Sequence, residues 1–230
     1  MAPAIAAAAA CISLGAARAQ STQQQLWNEI DTYWTLPNRD WRLYAFASMT
    51  RAEEANTLEP SVSANIDYVP LSWGFLRTGY RYIWSITSTP YDEKRWLFEA
   101  TIPATTGRLR FRNRTEVELR WLFGVPSQRY RDRLRIERDV DVRWLRRFVP
   151  YATYELYYDT RYHALSRSGY RLGAAITFTP NVGLEVTDLR QDNRFGSPRH
   201  VDALTATAVF HFDLLQKTSP PRTTDGERDR

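Results

Sequence analysis

Cysteine is nearly missing from this chain: Cys11 is the only one, and it lies in an Ala-rich opening segment. If that segment is removed, no thiol remains, which excludes a disulfide framework, a cysteine nucleophile and a Cys-based metal site. Lysine is almost as rare, at Lys94 and Lys217, so arginine carries nearly all the positive charge among 31 Lys plus Arg. Histidine occurs only at His163, His200 and His211, which leaves few imidazoles for a base or a ligand cluster. No stretch after residue 20 approaches the ~20 apolar residues that a membrane helix requires. Phosphate-cradling glycine loops, dinucleotide fingerprints and clustered metal ligands are missing too, and no cofactor is expected.

The opening segment reads as an export signal. Met1–Ala19 is built of Ala, Ile and Leu and ends in Ala17-Arg18-Ala19, a small-x-small cleavage site with Gln20 as the new N-terminus. A lipid-modified Cys11 is the less favoured reading, because only ten residues precede it. The expected organisation is a signal peptide at 1–19, a barrel at 20–215 and a disordered polar tail at 216–230. Export without disulfides suits the bacterial envelope.

What the chain has in quantity is alternation, most clearly from Leu109 to Val142. In the first half Leu109, Phe111, Asn113, Thr115, Val117, Leu119 and Trp121 share one parity, with Arg110, Arg112, Arg114, Glu116, Glu118 and Arg120 between them. In the second half Tyr130, Leu134, Ile136, Val140 and Val142 alternate with Arg131, Arg133, Arg135, Glu137, Asp139 and Asp141. Strand side chains point to opposite faces with period 2, so each strand has one mostly apolar face and one ionic face. Opposite charges set face to face suggest a register in which paired residue numbers sum to 251. That register places Glu118 with Arg133, Glu116 with Arg135, Arg114 with Glu137, Arg112 with Asp139 and Arg110 with Asp141. Asp132 and Arg138 are the charged exceptions on the apolar face.

Strand length decides the class. Globular strands run about 5–6 residues, whereas roughly 9–11 tilted residues cross a bilayer, and these strands are longer than either. The expectation is an all-β, antiparallel transmembrane barrel of 10–12 strands with apolar residues on lipid and charge inside. The sequence pI of about 9.4 would ordinarily suggest nucleic acid, but acids interleave the arginines on the same faces, so internal pairing is favoured and no nucleic acid is expected. Outer-membrane lipid and the barrel assembly machinery are the expected partners.

Similar strands run along the rest of the chain: Leu26–Trp34, Trp41–Thr50, Leu58–Tyr68, Leu76–Ile86, Trp96–Ile102, Val149–Asp159, Tyr170–Phe178, Val182–Asp188 and Leu204–Phe212. With the central pair these make eleven, while bacterial single-chain barrels have an even number, so twelve is the expected count, with ten second. Short connections at Pro103–Arg108, Leu145–Phe148 and Thr179–Asn181 should face the periplasm. Longer ones at Leu122–Arg129, Thr160–Arg167 and Leu189–Val201 should face outside.

In order along the chain, Leu26-Trp27-Asn28-Glu29, Gly79-Tyr80-Arg81-Tyr82, the Arg-rich pair, Pro150–Tyr157 and Tyr170-Arg171-Leu172-Gly173 resemble an uncharacterised family of bacterial outer-membrane barrels, domain of unknown function 2490. The resemblance spans about Gln25 to Phe212. It implies the fold and an outer-membrane location, and supplies no catalytic residues. The residues following Phe212 depart from the usual aromatic end of such barrels.

Three functional classes follow. The ionic faces either fill a narrow lumen structurally or line a small pore that selects by charge. A hydrolase would use the loop residues: His163 or His200 with Asp159, Asp192 or Asp202, or Ser166 or Ser168 beside His163. A soluble periplasmic barrel that binds a ligand would turn the apolar face inward. The first class is favoured, and no residue is assigned a catalytic, cofactor or metal role.

Overall fold

The computed structural model describes residues 22–52, 57–87, 90–195 and 198–214. The signal segment and the polar tail lie outside them. Among the described residues eleven strands follow one another without a helix: β1 (Thr22–Thr35), β2 (Trp41–Ala52), β3 (Thr57–Leu71), β4 (Gly74–Trp84), β5 (Asp92–Thr106) and β6 (Leu109–Leu122) make the first part. β7 (Val125–Arg138), β8 (Arg147–Asp159), β9 (Ala164–Thr177), β10 (Val182–Asn193) and β11 (His200–Asp213) complete it. Each strand pairs antiparallel with the next, and β1 closes on β11.

The closure explains the count. Neighbours in a meander alternate direction, so with an odd number of strands the first and last must run the same way. β1 and β11 do pair in parallel along their whole length, from Thr22 with His200 to Thr35 with Asp213. The expectation of twelve strands rested on evenness, and the parallel seam removes that requirement.

Register fixes the barrel's shape. Starting at Thr22, the paired residues run His200, Asp192, Ser168, Leu156, Asp132, Thr115, Ala100, Leu76, Tyr68 and Trp41. Trp41 then accepts a hydrogen bond from Leu36, so the circuit returns fourteen residues beyond Thr22. That stagger over eleven strands corresponds to a tilt of roughly 40° and a backbone radius of roughly 11 Å.

The distribution of side chains is inverted relative to a globular protein. Glu118 and Asp67 are completely enclosed, while Leu172 is 58% and Leu204 50% exposed. Ile30, Val62, Phe98, Leu134 and Val186 belong to the same exposed outer belt. A soluble barrel with its apolar face inward is therefore not what this chain forms. Aromatic rings collect toward the strand ends, as in the Trp41–Tyr68 and Trp34–Phe212 pairs near one rim and Tyr130–Tyr158 nearer the other.

The central hairpin corrects the charge-based register. Its residue numbers sum to 247, not 251: Arg110 faces Glu137, Arg112 faces Arg135, Arg114 faces Arg133, Glu116 faces Arg131 and Glu118 faces Arg129. Arg138 faces Leu109 on the outer side. The cause is the turn. The expected long loop Leu122–Arg129 is a two-residue connection, Phe123-Gly124, with both φ angles positive at 53° and 77°. A turn with two left-handed residues matches the twist of a tight hairpin and sets the register of both strands. The expected contrast of short and long ends also disappears, since the β7–β8 connection runs from Asp139 to Arg146.

Candidate functional site: the arginine-lined lumen

Parity sends Arg110, Arg112, Arg114, Glu116, Glu118 and Arg120 of β6 into the lumen, together with Arg131, Arg133, Arg135 and Glu137 of β7. Asp139 and Asp141 do not join them. Both lie beyond the end of β7, where Asp139 is bound at the rim by Arg147 at 2.7 Å and by Arg110.

The enclosed charges pair around the barrel as well as within the hairpin. Glu118 takes Arg129 at 2.5 Å and Arg95 of β5 at 3.7 Å. Glu155 of β8 takes Arg131 at 3.1 Å, Arg133, and Arg171 of β9 at 3.6 Å. Arg114 turns away from its hairpin partner to Glu99 of β5 at 2.7 Å, and Arg135 crosses to Glu185 of β10 at 2.9 Å. Arg120 joins Glu93 and Asp159, the latter at 2.8 Å. A guanidinium offers five donors in a planar fork, so one arginine serves two carboxylates and one carboxylate serves several arginines. Sequence reading missed Glu93, Arg95, Glu99, Glu155 and Arg171 as members of this network. Glu93, Arg95 and Glu99 carried a usable signal, a period-2 charge pattern in a stretch partly read as a loop.

Near the rim where β1 ends, aromatic rings and arginines pack along the β11-β1-β2 wall. Tyr33 stacks on Tyr44 with ring centres 4.6 Å apart and on His211 at 5.0 Å. Arg77 lies over Tyr44 at 3.9 Å, and Arg42 over Tyr33 at 4.8 Å. Asp67 receives hydrogen bonds from Arg42 at 2.6 and 2.8 Å and from Arg77 at 2.6 and 2.9 Å. Nearby, Gly173 admits the Tyr151 ring: a Cβ there would come within 2.7 Å of it.

From Tyr33, Tyr44 and Arg112 toward the opposite rim the lumen encloses a cavity of about 640 Å³. Its two walls differ. Arginines of β4 to β9 make one wall. Gln23, Gln25, Glu29 and Asp31 of β1, Ser48 of β2, Glu59 and Ser61 of β3 and Gln191 of β10 make the other.

The loop residues are only partly brought together. His200 Nδ1 lies 2.7 Å from Asp192 Oδ1, both about two-fifths exposed on the outer face at the rim. Ser168 neighbours Asp192 across the ladder and not His200. Ser166 instead donates to the Tyr157 carbonyl at 3.4 Å, and His163 occupies the β8–β9 turn with φ 49°. Among the described residues no hydroxyl is hydrogen-bonded to an imidazole, and no group of three His, Cys, Asp or Glu is placed to hold a metal.

No family model matches the chain, and no curated protein sequence does. Among solved structures, LpxR from Salmonella typhimurium is similar, with a TM-score of 0.47 and 9% identity over 71% of this chain and 81% of that one. A likeness this distant says nothing about activity.

Proposed function

We propose that this chain is an outer-membrane β-barrel that works as a vessel closed at one end and not as an open pore. The carrying observation is an outer belt of Leu, Ile, Val and aromatic residues together with the Tyr33–Tyr44–His211 stack, which narrows the lumen near one rim. An exposed apolar belt on a barrel with an ionic interior is stable in lipid, where closing the ladder leaves no free strand edge. The ion network gives the interior rigidity, and the cavity gives it capacity for a small solute. Membership of the barrel family that the sequence resembles belongs to this proposal.

Cysteine scanning tests it. In the reconstituted barrel an impermeant thiol reagent should fail at Val117→Cys on the lipid face, and the wild-type protein should show no conductance in planar bilayers. Labelling at position 117 in the intact membrane, or steady conductance by the wild type, would overturn the reading. On intact cells, proteolysis within the Thr160–His163 turn would place the cavity mouth outside. Cleavage confined to the Asp139–Arg146 connection would place it in the periplasm.

A further inference from the structure

Asp132 interrupts the outer belt far from either rim. In the circuit from Thr22 to Trp41 it is the middle of eleven residues, five strands from each end. Because that circuit climbs steadily around the tilted barrel, Asp132 lies halfway up the wall. Tyr130, Leu134 and Leu156 frame it on the outer face. Thr115, opposite on β6, donates to its Oδ2 at 2.8 Å, and both residues are exposed. Asp188 of β10 also faces outward, but Arg190, Asp192 and His200 continue from it to the rim, so that strip is joined to water.

A carboxyl group facing hydrocarbon is costly, and one hydroxyl leaves most of its acceptor sites empty. The polar strip has a third member. Asn113, outward on β6, is the diagonal neighbour of Asp132, about 8 Å away, and its Oδ1 is enclosed with no hydrogen-bond partner. With strands tilted roughly 40°, the step from β7 to β6 rises about 3 Å and two residues along β6 rise about 5 Å. The sideways components of those two displacements, about 4 Å each, run in opposite directions and cancel. Asn113 therefore lies above Asp132 along the membrane normal, with Thr115 between them in height. Amide, hydroxyl and carboxyl form a column on the β6–β7 hairpin.

A column along the membrane normal is what a two-fold axis in a membrane requires. Barrels inserted in one orientation are related by an axis parallel to the normal, which sets residues of equal height against each other. An axis passing between β6 and β7 at this column brings the Asn113 amides of two copies face to face, each able to donate to and accept from the other. It also sets each Thr115 hydroxyl beside the other copy's Asp132. Lipid tails offer no donors at this depth, whereas a second copy offers the same donors at the same heights.

We propose that the outer face of β6–β7 is a homodimer interface, where a second copy of this chain covers Asn113, Thr115 and Asp132 in the plane of the membrane. This rests on the reading of the chain as a barrel in lipid, and holds whether or not the lumen is closed.

Photobleaching step counts on the full-length barrel, carrying one dye at its C-terminus and reconstituted in phosphatidylcholine vesicles, test the proposal. The wild type should bleach in two steps, and Asn113→Leu/Thr115→Val/Asp132→Leu should need at least a tenfold higher protein-to-lipid ratio to do so. That triple variant should unfold at the same or higher urea concentration, since its belt becomes apolar there. Asp132→Asn keeps an acceptor, adds donors and removes the charge that two copies would set together, so it should dimerise at least as well as the wild type. In a Cys11→Ser background, Asn113→Cys should form a disulfide-linked dimer on mild oxidation, and Leu204→Cys on β11 should not. If the three polar residues served only the monomer, the triple variant would unfold more easily and dimerise as before. Single steps for the wild type at every ratio, as a different partner protein would leave, would overturn the proposal. So would unchanged dimerisation of the triple variant, or cross-linking through Leu204→Cys and not Asn113→Cys. Impermeant labelling of Val117→Cys would refute the barrel in lipid itself, whereas protection there with a monomeric wild type would refute the dimer alone.

Discussion

Removing the Asp67 carboxylate should open the stopped end of the barrel. Asp67 is the only carboxylate in ion-pair contact with Arg42 and Arg77 among the described residues, and those two arginines hold the ring stack from either side. Deleting one partner of a buried ion pair costs about 3–5 kcal/mol, because the other charge stays enclosed. Here the two arginines differ. The Arg42 side chain is 25% exposed and can turn to water, whereas Arg77 is 7% exposed and cannot. The loss for Asp67→Ala should therefore lie near the lower limit, about 3 kcal/mol, which a urea titration in lipid vesicles resolves. Arg42 and Arg77, repelling each other without the shared acid, should separate and pull the rings apart. Planar bilayers containing Asp67→Ala should then show discrete conductance steps that the wild type lacks. Tyr33→Ala/Tyr44→Ala should conduct as well, since it removes two of the three stacked rings directly. If both variants insert as folded barrels and stay silent, the stack is not what seals the lumen.

Further outcomes follow from other parts of the barrel. Val117→Arg, in mid-β6 on the outer face, should cost about 2–4 kcal/mol of folding free energy in lipid vesicles if that site is near the bilayer midplane. Gly124→Ala should cost about 1–2 kcal/mol through its positive φ alone, since nothing lies within 4 Å of an added Cβ. Phe123→Asn in the same turn should stabilise slightly, as asparagine tolerates the left-handed region; urea midpoints check both turn variants. At the rim, hydrogen bonds from Arg147 and Arg110 hold the Asp139 carboxyl below its ordinary range. A depressed carboxylate stabilises above its unfolded pKa of about 3.9 and loses that contribution as pH falls through the folded value. The wild type's margin over Asp139→Asn should thus be present at neutral pH and vanish on acidification, and it should be small because Asp139 is 47% exposed. Thermal midpoints of the two proteins measured from pH 7 to pH 2 would show it.

The faces of the strands were legible because they depend only on local geometry. Alternation along Leu109–Trp121 sends Arg110 to Arg120 to one side whatever the rest of the chain does. The strand ends were harder. Leu189–Asn193 was read as part of a loop, yet it completes β10, because Leu189 is a buried lumen residue packed with Val201 and Ala203. An apolar residue among inward polar ones does not look like strand alternation. The stopper was not legible at all. Tyr33, Tyr44, Asp67, Arg77 and His211 come from five strands, and the registers of those neighbouring strands, the β1–β11 seam included, bring them together.

The register of the central hairpin shows why charge matching failed where alternation succeeded. In an open two-stranded ribbon, Arg112 against Arg135 and Arg114 against Arg133 would be unfavourable contacts, and a slip of four residues would relieve them. A closed barrel gives each inward side chain neighbours on both flanks and across the lumen. An arginine reaches farther than the ~4.8 Å between strands, so its acid need not be the residue opposite. Arg114 finds Glu99 on one flank, Arg133 finds Glu155 on the other, and Arg135 finds Glu185 three strands away. Neutralisation is thus achieved around the ring, which leaves the register free to follow the Phe123-Gly124 turn. The same freedom leaves Arg81 over the Phe46 ring and Arg167 over the Tyr157 ring, neither in ion-pair contact with a carboxylate among the described residues. Once the turns set every strand's height, each arginine takes the acids within its reach, and Glu29, Asp31 and Glu59 on the other wall accept from Thr207, Tyr44 and Tyr91 instead.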